Sequence, residues 1–196
     1  RSPWNDSFIS LVSRARASLV LCSPFIGAGP CATVIETSRS WPDGFGLIVL
    51  TDLSRDNMLS GATDVEAISG VVRAFPATEI RFLPSLHAKV YVADDAEAVV
   101  TSANMTDSGL GRNFEYGVRY RDPRVVRQIR QDVVEYAALG SPIERSQLEA
   151  FARITRELRD IRKTAERSVR NRLRREFDRK LREADEQIIR ARAAGR

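Results

Sequence analysis

After Pro142 this chain has no further proline, and no glycine until Gly195. Those two residues end or kink helices, so a stretch without either is strongly held to helix. Its dominant residues are Ala, Arg, Glu, Leu and Ile, mostly good helix formers. Apolar residues fall at Phe151, Ile154, Leu158, Ile161 and Ala165, a 3-4-3-4 spacing suited to a coiled coil. They continue at Val169, Leu173, Phe177 and Leu181, a spacing of four that drifts around the helix. Glu166–Arg170, Glu176–Lys180 and Asp178–Arg182 stand at favourable i,i+4 positions. Residues 141–196 therefore read as one or two long helices, a coiled coil or an arm. If straight, they would span roughly 80 Å at about 1.5 Å per residue.

The preceding part is punctuated throughout. Residues 4–17 read as a helix with Phe8, Ile9, Leu11 and Val12 on its apolar side. SLVLCSPFI (18–26) reads as a short buried strand, and residues 35–41 as weakly helical. FGLIVLTDL (45–53) is a continuous apolar run of strand length, as in a sheet covered on both faces. Residues 64–74 form an amphipathic helix pattern, and 79–83 another strand. HAKVYVA (87–93) alternates, with His87, Lys89 and Tyr91 on one side and Ala88, Val90 and Val92 on the other. EAVVTSA (97–103) pairs with it across a turn at Asp94-Asp95. FEYGVRYR (114–121) is a further strand, and Pro123 opens a helix through about Leu139. Gly140-Ser141-Pro142 marks a boundary. Strands alternating with helices, with a hairpin late in the order, give an α/β class: a mixed sheet flanked by helices over 1–140, followed by the basic helical segment 141–196.

The formal charge is +5, and it is unevenly spread. Residues 1–140 carry 14 Lys+Arg and 16 Asp+Glu, whereas 141–196 carry 17 and 10. Such a basic segment suits a polyanion, of which nucleic acid is the commonest. Two cysteines, Cys22 and Cys31, with no C-x-x-C, read as reduced thiols of a cytoplasmic protein. One histidine leaves no zinc site, so no metal and no cofactor is expected. No apolar run approaches a membrane span. The start shows no secretory pattern and no initiating Met, so the chain reads as an excerpt of a longer one.

Its single histidine, His87, stands two places before Lys89. Alternation puts the two on one strand face, and Ser102 with Asn104 on a face of the next, so that the hairpin would bring the four together. One imidazole, one ammonium, one hydroxyl and one amide suit a tetrahedral oxyanion. His87 would act as nucleophile or proton carrier, Lys89 would neutralise charge, and Ser102 and Asn104 would donate hydrogen bonds. Glu115 would hold the imidazole in one tautomer. Asp94, in the turn, reads as structural. Arg112, in a loop beside the site, is a candidate phosphate contact. Asn113 and Asp107 read as loop polar residues, and Tyr91, Tyr116, Tyr120 and Phe114 as packing.

The string His87, Lys89, Asp94, Thr101-Ser102-Ala103-Asn104 resembles the HKD motif of the phospholipase D superfamily. Downstream, SANMTDSGLGRNFEYG resembles its nuclease-like members, in which a Glu eleven residues after the Asn supports the His; here that is Glu115. Thr101 stands where the motif usually has Gly. The resemblance covers roughly residues 4–138, and its specific part is 86–117. It implies attack by one histidine on phosphorus, a covalent phosphohistidine, and a second histidine that protonates the leaving oxygen, with no metal. Members with one motif are typically homodimers sharing the site, so a homodimer is expected here.

The leading expectation is a metal-independent endonuclease acting on DNA ahead of RNA, in a restriction or phage-defence setting. Its C-terminal helix would grip nucleic acid, assist dimerisation or lead to a further domain or partner. The alternatives are a phospholipid hydrolase or transferase of the same superfamily, and a non-catalytic dimeric nucleic-acid-binding module.

Overall fold

The computed structural model describes residues 4–194, without the side chains of 160, 162, 163 and 184–194. Helix α1 (Trp4–Arg14) leads into β1 (Ser18–Cys22), α2 (Ala28–Ser38), β2 (Gly46–Thr51), α3 (Arg55–Ser60), α4 (Val65–Ala74) and β3 (Thr78–Phe82). Then come β4 (Val90–Ala93), β5 (Glu97–Thr101), a π-helical turn (Ser108–Arg112), β6 (Gly117–Tyr120), α5 (Pro123–Leu139), β7 (Ser141–Pro142) and α6 (Arg145–Ala194). The seven strands form one mixed sheet in the order β6-β5-β4-β1-β2-β3-β7. β1, β2 and β3 are parallel, and the other neighbours are antiparallel.

Each side of the sheet has its own core. On one side the helices α1, α2 and α4 and the start of α6 bury residues such as Phe8, Val34, Ile68 and Leu148 against Leu19, Leu21, Val49 and Tyr91. On the other side α5 alone packs Val126, Val133 and Ala137 against Val20, Cys22, Val90, Val92 and Ala98. The alternation of HAKVYVA is realised: Tyr91 packs edge-on to Phe8, while Val90 and Val92 lie on the α5 side. Polar caps fix helix starts where the sequence offers them. The Asp64 carboxylate accepts from the Ala67 amide at 3.2 Å, and Asp122 accepts from Arg124 and Val125 ahead of Pro123.

The first compact unit ends later than the Gly140-Ser141-Pro142 break suggests: it runs to Arg156, and a second begins at Glu157. β7 hydrogen-bonds antiparallel to β3, and Leu148, Ala152 and Thr155 of α6 are buried in the first unit. That early part of α6 is therefore core, not arm. In the second unit Leu158, Ile161, Val169, Leu173, Phe177 and Leu181 are exposed. There Glu176 bonds to Arg179 and Lys180 to Glu183, in place of the expected Glu176–Lys180 pair. The last two residues of the expected helical segment lie outside the described residues. Among the described residues no helix is long and apolar enough to cross a membrane.

Candidate active site

Lys89 is the only lysine before Lys163, and it is 6 % exposed. Its Nζ donates to the His87 carbonyl oxygen at 2.8 Å and lies 3.3 Å from both ring nitrogens of His87. An ammonium equidistant from both nitrogens is committed to neither, and the imidazole itself is exposed. Burial lowers the Lys89 pKa, and the Glu115 carboxylate pulls it back up. β4 proper starts only at Val90, so His87 and Lys89 stand just ahead of the strand.

A second cluster forms where β5 ends. The Ser102 hydroxyl donates to Glu115 Oε2 in a very short bond and accepts from the Tyr116 amide at 3.1 Å. Asn113 Nδ2 donates to Glu115 Oε1 at 3.1 Å, so the carboxylate is held at both oxygens. Asn104 follows on a loop clamped from below. The Tyr91 hydroxyl donates to the Ala103 carbonyl at 2.8 Å, and the Met105 amide donates to Ser23 Oγ at 3.0 Å. Gly109 lies against the Asn104 backbone, where a Cβ would collide with it. Asn104 Oδ1 is buried without a hydrogen-bond partner.

This assembly corrects three expectations. His87, Lys89, Ser102 and Asn104 do not share one sheet face. The register pairs Val90 with Val100, and the Thr101 amide donates to the Lys89 carbonyl, so Thr101 and not Ser102 lies across from Lys89. The hydrogen bonds form two groups instead, His87 with Lys89 and Ser102 with Glu115, and the Glu115 carboxylate acts on the Lys89 ammonium through its charge. Glu115 is bonded to Ser102 and Asn113, not to His87 of its own chain. Phe114 and Tyr116 are not packed: they precede β6 and are 95 % and 82 % exposed. Tyr91 is core, and Tyr120 is half-buried against the α5-side core. Asn113, expected as a plain loop residue, turns out to position Glu115. Its place two residues before Glu115 is the one signal for that role.

Residues 8–136 match the family model described as "Cardiolipin synthase, PLD-like domain". The chain belongs to that phospholipase D-like family. Solved structures share the fold of this phospholipase D-like domain. Nuc from Salmonella typhimurium, a phospholipase D family member, is 15 % identical with a TM-score of 0.60 over 71 % of this chain and 90 % of its own. NucT from Helicobacter pylori is 16 % identical with a TM-score of 0.58 over the same shares, 71 % and 90 %. TrmBL2, an archaeal chromatin protein with a novel mode of DNA binding, is 17 % identical with a TM-score of 0.52 over 73 % of this chain and 52 % of its own. Among curated proteins none matches the sequence.

Within this phospholipase D-like domain, Asp94 lies at the opposite end of the β4–β5 hairpin from His87. Its carboxylate accepts from the amides of Arg16, Ala17 and Ser18 at 2.9, 2.8 and 2.8 Å, tying the start of β1 to the turn. Thr101 does not crowd the site. It faces Gly117 across the β5–β6 pair, where a Cβ would press to 2.6 Å from its own, and its hydroxyl is held by the Tyr116 carbonyl and the Ala103 amide. A glycine opposite thus makes room for the threonine. Arg112, exposed at the end of the π-helical turn, donates to Ser108 Oγ at 2.8 Å. Cys22 and Cys31 are buried and free, and burial pushes the Cys22 thiol up to about 12.

Proposed function

We propose that this domain is a metal-independent phosphodiesterase, an endonuclease acting on DNA through a covalent phosphohistidine in a site shared by two copies. The observation that carries the reading is the pairing of an accessible imidazole, His87, with a buried ammonium whose Nζ stands 3.3 Å from it. A ring nitrogen of His87 attacks phosphorus and the P–O bond to the leaving group breaks. The departing oxygen takes a proton from an imidazolium, which this chain can supply only from a second copy. That imidazole then removes a proton from water, water attacks the phosphohistidine, and the P–N bond breaks to regenerate His87. Lys89 balances charge on the phosphoryl oxygens, with Asn104 and Ser102 donating hydrogen bonds to them.

DNA as substrate is supported by the net positive charge of 141–196 and by the fold shared with a DNA-binding chromatin protein. The description of the matched family, a cardiolipin synthase domain, favours a second reading as a phospholipid hydrolase or transferase. Cleavage of plasmid DNA in excess EDTA tests both. Wild type should nick the plasmid and His87→Ala should not. Turnover of phosphatidylcholine vesicles with no cleavage of DNA would sink the nuclease reading.

A further inference from the structure

The described part of the second unit is a single stretch of helix α6, and none of its described large apolar side chains is buried. Val169, Leu173, Phe177 and Leu181 are between 50 % and 66 % exposed. A helix draws most of its stability from packing one face, yet this face stands open. From Ala165 to Leu181 the apolar residues recur at every fourth position. A helix turns once in about 3.6 residues, so each step carries the ridge about 40° further round, in the right-handed sense. The heptad stripe of a left-handed coiled coil drifts the other way. A ridge that winds in this manner does not lie flat on a membrane surface. It suits a second helix with the same ridge, since two i±4n ridges pack when their helices cross at about −50°.

We infer that the ridge centred on Val169, Leu173 and Phe177 seats the same ridge of a second copy, in a parallel, in-register, right-handed crossing. Charge beside the ridge selects this occupant and this direction. The residues three before and three after each ridge residue lie about 60° to either side of it. In a parallel two-fold crossing, the residue three before in one copy meets the residue three after in the other. At Val169 that sets Glu166 against Arg172 of the second copy, and at Leu173 it sets Arg170 against Glu176. Only at Phe177 do like charges meet, Arg174 with Lys180. An antiparallel crossing on Leu173 would instead put Arg170 on Arg170 and Glu176 on Glu176. Glu176 accepts from Arg179 of its own helix, and a carboxylate oxygen accepts more than one bond. Nucleic acid and an acidic helix are poorer occupants, because Glu166 and Glu176 border the ridge on both sides. The inference stands on exposure, period and charge, and does not rest on the phosphodiesterase reading.

The test uses the full chain with one added cysteine at a time. Cys22 and Cys31 are buried with raised thiol pKa values, so they do not compete. Under a mild oxidant, Val169→Cys, Leu173→Cys and Phe177→Cys should each give a disulfide-linked dimer, because a parallel pair places each position beside its own copy. Asn171→Cys, on the opposite side of the helix, should give none. In the Leu173→Cys background, Arg170→Glu should lower the yield several-fold, and Arg170→Glu/Glu176→Arg should restore it, both with wild-type circular dichroism. Linkage at none of the three ridge cysteines overturns the inference. Linkage at Leu173→Cys alone also overturns it, since that marks an antiparallel match, as does equal linkage at Asn171→Cys or a charge swap that leaves the yield low. Shielding of the ridge cysteines from maleimide by a DNA duplex or by phosphatidylglycerol vesicles, in protein that gives no linked dimer, overturns it and assigns the ridge to that surface. DNA cleavage is a separate readout. Linked dimers without cleavage keep the helix pair and remove the phosphodiesterase reading; cleavage without linked dimers does the reverse.

Discussion

The two ends of the β4–β5 hairpin use the same kinds of polar residue for opposite purposes. At the turn, both oxygens of Asp94 are taken up by three backbone amides of the segment entering β1. At the open end, His87 is exposed, the Lys89 ammonium donates to the His87 carbonyl, and Asn104 keeps a buried oxygen unpartnered. A saturated carboxylate is a tie between strands. On the proposed reading, the unsaturated groups at the open end are where the phosphodiester binds. Under the proposed function this difference divides the motif into structural and chemical members, and mutation should separate them.

The largest effect is expected at the open end. His87→Ala should lower kcat by about 10⁴-fold or more, as loss of a covalent nucleophile does elsewhere. Its melting midpoint should stay near that of wild type, because an exposed side chain leaves no cavity. A large drop in stability would place His87 in the structural class instead. Lys89→Met should cost about 10²–10³-fold in kcat, the scale of removing one preorganised charge partner. Because burial lowers the Lys89 pKa, its proton is lost below the ordinary lysine value, and activity should fall on the alkaline side accordingly. Lys89→Arg stays charged through that range, so its residual activity should lack this alkaline fall. The same shift means that folded-state stability rises with pH between the lowered pKa and the unfolded one.

At the turn the pattern should invert. Asp94→Ala removes the acceptor of three amides and puts a β-carbon without a polar partner at φ +53°, a cost of about 2–3 kcal/mol in unfolding free energy. Its folded fraction should turn over at near the wild-type rate. Asp94→Asn keeps one carbonyl acceptor and tolerates the left-handed backbone, so it should recover about half of that loss. Chemical denaturation, with kcat measured per folded molecule, checks both.

Much of this was legible in the chain. Apolar runs of strand length and the helix patterns between them define the α/β order, because burial on both sheet faces needs them. β7 was not legible: Ser141 and Pro142 join β3 through backbone groups that side-chain patterns do not report. Nor was the end of the first unit at Arg156, since Leu148 and Ala152 carry the same helical periodicity whether they meet a core or a partner helix. For the site, residue types and spacing pointed to His87, Lys89, Ser102, Asn104 and Glu115, but alternation misplaced them. A period of two holds only inside a strand, and β4 begins one residue after Lys89. The same limit hid Phe114 and Tyr116, whose alternation resembles that of a packed strand although they precede one.

Arg112 tests the comparison at its smallest scale. It belongs to the open end by position, yet its guanidinium is already bonded to Ser108 four residues back in the π-helical turn. If it contacts DNA, it does so as one exposed cation exchanging a serine for a phosphate, worth about 1 kcal/mol at low salt. Arg112→Ala should then raise KM several-fold and leave kcat unchanged. The salt dependence of binding should become shallower by about 0.7–0.9 in the log–log slope, the signature of one lost phosphate contact. Titration of a labelled oligonucleotide at several salt concentrations reads that slope directly. An unchanged slope would move Arg112 beside Asp94, as a residue whose bonds are complete within its own chain.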